Sequence, residues 1–96
     1  MDWDFEGEII AWRGPAPFLF VDIDPDLSAD IKAAAQGLEY WGQVAVEATI
    51  GATTFTTALF PRQGRYLLPV KVAVQRAEGV GEGDVVAVSL ALRYER

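Results

Sequence analysis

Strict alternation of apolar and polar side chains recurs along this chain, and it restricts the fold more than any other feature. Trp3, Phe5, Gly7 and Ile9 interleave with Asp2, Asp4, Glu6 and Glu8. Val44, Val46, Ala48 and Ile50 repeat the pattern across "QVAVEATI" (43–50), as do Val86, Val88, Leu90, Leu92 and Tyr94 across "DVVAVSLALRYE". A side-chain period of two belongs to a strand with one face on a core and the other in water. Ile10 and Trp12 break the polar side of the first strand, so its far end is expected to be covered on both faces. After the interruption "RGPAP", "FLFVDI" (18–23) predicts a short, heavily buried strand. Gly51-Ala52 fits a two-residue hairpin with glycine at its first central position, leading into "TTFTTALF" (53–60). "PRQG" (61–64) fits a turn before the strand "RYLLP".

One segment carries helical spacing. Leu27, Ile31, Ala34 and Leu38 fall on one face, and "IKAAAQ" has good helix propensity. Asp24 before Pro25 predicts an N-cap with proline at the first helical position, and Gly37 a C-terminal stop. Asp26, Asp30 and Lys32 are placed as the helix dipole prefers. "VKVAVQRA" (70–77) fits either a strand or a helical turn. Six strands, one helix and short connections predict a mainly β fold. The expected architecture is a small closed or partly open β-barrel with one short helix, about residues 25–37, plugging one end. The strand from Asp84 is expected to be the longest. Closure would remove the unpaired edges of so short an all-β chain. Ninety-six residues, 51% of them hydrophobic, make a single domain spanning 1–96, with a core that needs no staples.

The missing residue types narrow the chemistry. With no cysteine there is no disulfide, thiolate zinc site or cysteine nucleophile, and with no histidine the commonest general base and metal ligand are gone. "MDWDFEGEII" is acidic where a signal peptide is basic, and no apolar run reaches membrane length, so a soluble, cytoplasmic protein is expected. Net charge is −6, unevenly spread: residues 1–48 hold ten acidic and two basic side chains, residues 49–96 four and six. Phosphate backbones and anionic membranes repel such a protein on average. The ladder Asp2, Asp4, Glu6, Glu8 is explained by a solvated strand face that resists edge pairing. "DIDPD" (22–26) imitates a calcium loop, but Leu27 and Ala33 stand where glycine and a bidentate glutamate are required. "GVGEG" lacks the third glycine of a dinucleotide fingerprint, and Asp84 in that place repels pyrophosphate. The glycines instead permit a turn, with Asp84 bonding back to its amides. Ser28 and Ser89 have no histidine to activate them. No metal site and no cofactor is expected.

"FEGEI" with Trp12, "FLFVDI", the short helix, "VAVEATIGATTFTTALFP", "GRYLLPVKVAVQRAEGV" and "GDVVAV" together resemble the DUF1905 family of small bacterial β-barrel domains. The resemblance spans nearly the whole chain and lies in spacing and hydrophobic pattern. It implies the barrel and offers no catalytic residues to carry over. In many relatives, a small helical domain linked by name to bacteriocin resistance follows the barrel. Here the chain is expected to lack it, ending at Arg96. Swapped-hairpin barrel regulators share a Pro, basic residue, Gly-Val-x-x-Gly-Asp-x-Val run, but with a shorter step than the ten positions from Pro69 to Gly79.

Two constellations remain as candidate sites. Arg62, Arg65, Lys71 and Arg76 concentrate half of the basic residues within fifteen positions, beside Phe60 and Tyr66. They suit an anion-binding or single-strand nucleic-acid groove, or else solvated loops paired with the acidic half. Eleven aromatics exceed what a small core hides, and Tyr40 and Trp41 beside Gly42 are placed to rim a barrel mouth. The expected site is therefore Arg62, Arg65, Lys71, Arg76, Trp41 and Tyr66. The leading expectation is a non-enzymatic binding or protein-interaction module, acting as a homodimer or with a protein partner. The alternatives are an acidic small-molecule binder at the barrel mouth and, less favoured, nucleic-acid binding through 62–76. An enzyme is the least favoured.

Overall fold

The computed structural model describes residues 2–12, 18–38 and 42–93. Its elements, in chain order, are β1 (Asp2–Trp12), β2 (Phe18–Asp22), α1 (Pro25–Ala34), β3 (Val44–Ile50), β4 (Thr53–Arg62), β5 (Arg65–Val70), α2 (Val72–Glu78) and β6 (Val85–Leu92). The six strands close into an antiparallel barrel in the order β1-β2-β5-β4-β3-β6. Every strand thus has two neighbours, and no edge is left for another chain to extend. Two strands serve both sides of the ring. β1 pairs with β6 through Asp2–Glu8 and with β2 through Ile9–Trp12. β4 pairs with β3 through Thr53–Leu59 and with β5 through Phe60–Arg62.

The alternation decides what fills the barrel. Val44, Val46, Ala48 and Ile50 of β3 point inward, as do Val86, Val88, Leu90 and Leu92 of β6. Ile9, Val21, Leu59 and Leu68 meet them from the other strands, all fully buried. β1, with eleven residues, is the longest strand; β6, with eight, ends at Leu92, and Tyr94 lies outside the described residues. β2 is less buried than its apolar run suggests. Val21 is inside, whereas Phe18 points outward at 59% exposure. A continuous apolar run conceals which side is the core.

α1 starts where the capping signals place it, with the Leu27 N–H donating to Asp24 Oδ1 at 2.9 Å and Pro25 in the first turn. It stops at Ala34, and Gly37 follows with φ +87°. Its buried face is Ser28, Ile31 and Ala35, while Leu27 and Ala34 are only half-buried and Leu38 is exposed. A polar side chain at the centre of the contact shifts the face by one residue from the apolar stripe. The Ser28 hydroxyl donates to the Ile23 carbonyl at 3.1 Å and accepts from the Tyr66 N–H at 3.0 Å, tying the helix to β5.

The ambiguous stretch 70–77 forms a second helix, α2. The closed ring has no edge for a seventh strand, and Gly79 with φ +63° ends the segment. The Val80 N–H reaches back to the Gln75 carbonyl at 3.1 Å, a helix-end bond of the kind that a left-handed residue permits. Helical spacing buries Val74 and leaves Val72 exposed. The two hairpins follow their glycines. Gly51 takes φ +60° ahead of the pair Ile50–Thr53, as expected. The second turn is Gln63-Gly64, with φ 49° and 80°, so Pro61 belongs to β4 and pairs with Tyr66. "GVGEGD" is the expected turn: the Gly81 N–H donates to Asp84 Oδ2 at 2.8 Å, and Gly83 has φ +91°.

The first hairpin is also latched to α2. Thr53 Oγ1 donates to Glu78 Oε2, and a Cβ on Gly51 would lie 1.9 Å from Glu78 Oε1. Gly51→Ala therefore places an L-residue at positive φ and expels the Glu78 carboxylate. The expected loss is about 1.5 kcal/mol by chemical denaturation, roughly 1 from the backbone and the rest from the displaced contact. A loss no larger than that of Gly64→Ala, whose Cβ meets nothing within 4 Å, would show that the latch contributes nothing.

Candidate functional site

Closure of the ring sorts the outer surface into two unlike sides, since β6 and β3 lie across it from β5 and β2. On the first side Asp2, Asp4, Glu6 and Glu8 project from β1, and Glu47 from β3. Between them, β6 presents the small residues Ala87, Ser89 and Ala91. This is the solvated face expected of the acidic ladder, and Ser89 Oγ donates to Asp4 Oδ1 at 2.7 Å. Among the described residues, no group of three or more carboxylates is gathered closely enough to hold a metal ion.

The second side is aromatic. Trp12 from the end of β1, Phe18 and Phe20 from β2, and Phe60 from β4 line one shallow depression of about 270 Å³. Trp12 and Phe20 pack edge to face with centroids 6.5 Å apart. Three of the four rings keep more than a third of their surface in water: Trp12 37%, Phe18 59% and Phe60 39%. The strands bring these rings together through outward positions, because Leu19, Val21 and Leu59, one residue away, face the core. Period two within "FLFVD" was the available signal, masked because both faces of that strand are apolar.

The six predicted site residues do not form one groove. Arg62 and Arg65 flank the Gln63-Gly64 turn, whereas Lys71 and Arg76 belong to the start and last turn of α2. β5 stands between them, roughly 17 Å of strand at about 3.3 Å per residue. Lys71 Nζ donates to the Thr56 carbonyl at 2.8 Å and so fixes the start of α2 on β4. Arg76 is exposed near the opposite end of the barrel from Arg62. Tyr66 is buried, its N–H held by Ser28, and is no stacking platform. Trp41 lies outside the described residues, as does Tyr40.

What the structure does assemble is a cleft of about 500 Å³ between α1 and the β4–β5 hairpin. Lys32 borders it from α1 and Arg62 and Arg65 from the hairpin, and Ala29, Pro61 and Tyr66 complete much of the lining. The Arg62 guanidinium lies 3.9 Å from the centroid of the Trp12 ring, a stacking distance at which the cation is held by the ring face. Arg65 pairs with Asp22 Oδ2 across the β2–β5 ladder, and Asp22 Oδ1 is buried without a hydrogen-bond partner. Lys32 could not be assigned to this group from sequence, since thirty positions separate it from Arg62 and its place near a helix end explained it already. Ser28 also borders the cleft, but both of its hydrogen bonds are used within the fold.

No helix among the described residues is long and apolar enough to cross a membrane. A search of curated proteins returns no match. The profile of the family described as a domain of unknown function, DUF1905, matches residues 5–90, from Phe5 of the first strand to Leu90 of the last one. That span covers all but the outer ends of the barrel, and the chain belongs to the DUF1905 family.

Proposed function

We propose that this barrel is a protein-interaction module that pairs with a second copy of itself through its aromatic side. The observation that carries the reading is the gathering of Trp12, Phe18, Phe20 and Phe60 on one outer face. Contiguous exposed aromatic surface is costly in water and concentrates at interfaces. The rim supports a two-fold contact in particular. Arg62 packs on the Trp12 ring, and the Arg65–Asp22 pair joins β5 to β2 nearby, so the margin of the aromatic side carries both signs of charge. The acidic ladder points away on the other side of the ring and does not oppose the approach.

Magnitudes limit how tight such a pair is. An aromatic ring buries roughly 150–250 Å² in full, so the three exposed rings supply about 250–300 Å² per copy. A stable interface takes about 800 Å² per partner. The contact is accordingly weak and reversible, formed at high micromolar concentration. Splitting of the four predicted cations between the two ends of the barrel weighs against a nucleic-acid groove. The spent Ser28 hydroxyl in the cleft supports binding in preference to catalysis.

Sedimentation equilibrium over a concentration series tests this. The wild type is expected to dimerise at both low and high salt, with only a modest weakening at high salt, because the contact is apolar at its centre and charged only at its margin. Phe18→Asp, at an exposed position, weakens the dimer about 100-fold by placing a carboxylate in the centre of the contact, ~2.7 kcal/mol, and leaves the melting temperature unchanged. A wild type that stays monomeric at millimolar concentration, or a Phe18→Asp variant that dimerises as well, refutes the reading.

A further inference from the structure

We propose that the cleft between α1 and the β4–β5 hairpin binds a small organic dianion, a phosphomonoester or a dicarboxylate with an apolar body. The inference does not require self-association, although Arg62 and Arg65 border both surfaces, and it rests on charge and shape. Three of the eight basic residues of the chain, Lys32, Arg62 and Arg65, border one depression in a protein of net charge −6. Among the described residues, Lys32 and Arg62 are in no ion pair, and Asp22 answers only Arg65. Among the described residues these two positive charges have no carboxylate partner, which is the charge a dianion supplies. Random placement on an acidic surface would have spread these side chains toward carboxylates; here chain elements thirty residues apart bring them together.

The cleft has the size and lining of a ligand site. About 500 Å³ lies within the range that holds a small organic molecule, commonly 300–1,000 Å³. Beside the cations, Ala29 and Pro61 add apolar surface to its lining. That arrangement selects an amphiphilic molecule over a bare ion. Arg62 is also restrained in advance. Its Cζ lies 3.9 Å from the Trp12 ring centroid, which restrains the guanidinium over the indole while its N–H groups stay available to an anion. Less side-chain freedom is then lost when the anion binds. Trp12 reports the event, because an anion drawing on Arg62 alters the charge over the indole.

Titration with phenyl phosphate at low ionic strength tests the proposal. Binding is followed by Trp fluorescence and by backbone amide shifts, in the wild type and in the Phe18→Asp variant, so that self-association does not enter. Saturable binding is expected, with the largest shifts at Ala29, Lys32, Gln63, Gly64 and Arg65. Lys32→Gln and Arg62→Gln each weaken it about tenfold, the size of one lost charge-assisted hydrogen bond. Arg76→Gln, at the far end of the barrel, leaves it unchanged. Phthalate distinguishes a carboxylate head group from a phosphate by which of the two probes binds more tightly. Inorganic phosphate is expected to bind at least tenfold more weakly than phenyl phosphate, because it makes no use of the apolar lining. No saturation with either organic probe overturns the proposal. So do shifts spread equally over α2, an affinity unmoved by Lys32→Gln, or inorganic phosphate binding as tightly as the organic anions.

Discussion

Gly7→Ala is expected to lower the melting temperature by about 15 °C, the consequence of roughly 3 kcal/mol of overpacking in a domain of this size. Gly7 sits where β1 changes partner, one residue before it leaves β6 for β2. Its position is buried, and the space a side chain would need is already taken. A Cβ there would lie 2.6 Å from the Asp22 carbonyl oxygen and 2.6 Å from Val21 Cγ1. One obstacle is backbone and the other a fully buried core side chain, so neither can swing aside. The cost arises from space and not from backbone angle, because Gly7 does not adopt positive φ. Glycine at the corner of a barrel is a familiar means of letting two strands approach closely. Denaturation with an unchanged m-value is the measurement, since the variant remains two-state but loses stability. A loss below about 1 kcal/mol, within the low end of overpacking costs, would mean that β1 and β2 can separate without penalty.

Ser28→Ala is expected to cost about 2 kcal/mol, although serine to alanine removes a single atom. Ser28 is the one buried polar residue among those described, and its hydroxyl is bonded on both sides. Alanine deletes the acceptor of the Tyr66 N–H and the donor to the Ile23 carbonyl while keeping both groups out of water. Buried groups left without partners cost more than a hydrogen bond contributes on average, which is why the loss exceeds about 1 kcal/mol. Asp24→Ala serves as the internal comparison. It removes the N-cap of the same helix at an exposed position and is expected to cost about 1 kcal/mol. Amide exchange at Tyr66 should accelerate in Ser28→Ala and not in Asp24→Ala. If the cap variant proves the more damaging, α1 is held by its own propensity and by Ile31, and the Ser28 link is secondary.

These two positions also show what can and cannot be read from letters. Gly7 belongs to an alternating strand and stands where its core-facing residue should be, so its face was legible. The reason for glycine was not, because Asp22 and Val21 crowd it from a different strand. Ser28 fell at the start of a helix, where serine is unremarkable, and its importance depends on Tyr66, thirty-eight positions later. Trp12, Phe18 and Phe60 follow the same logic. Period two sets each on the outward side of its strand, in line with Glu8, Asp22 and Thr56, but the aromatic surface emerges only when β1, β2 and β4 are set around one ring. The basic segment 62–76 erred in the opposite direction. Closeness in sequence suggested one groove, but a strand laid along the barrel carries its two ends apart.

Local chemistry was sufficient to determine the class and most of the elements of this protein. Side-chain alternation specifies strands, Asp24-Pro25 starts a helix, and glycines at 51, 64 and 79 permit turns that other residues resist. All of these act over a few residues and are written in consecutive positions. Ring closure, the conversion of 72–78 into a helix and the meeting of Lys32 with Arg62 were decided by the tertiary structure. Each depends on which distant surface is left to cover once the six strands have paired, and no short stretch of chain holds that information.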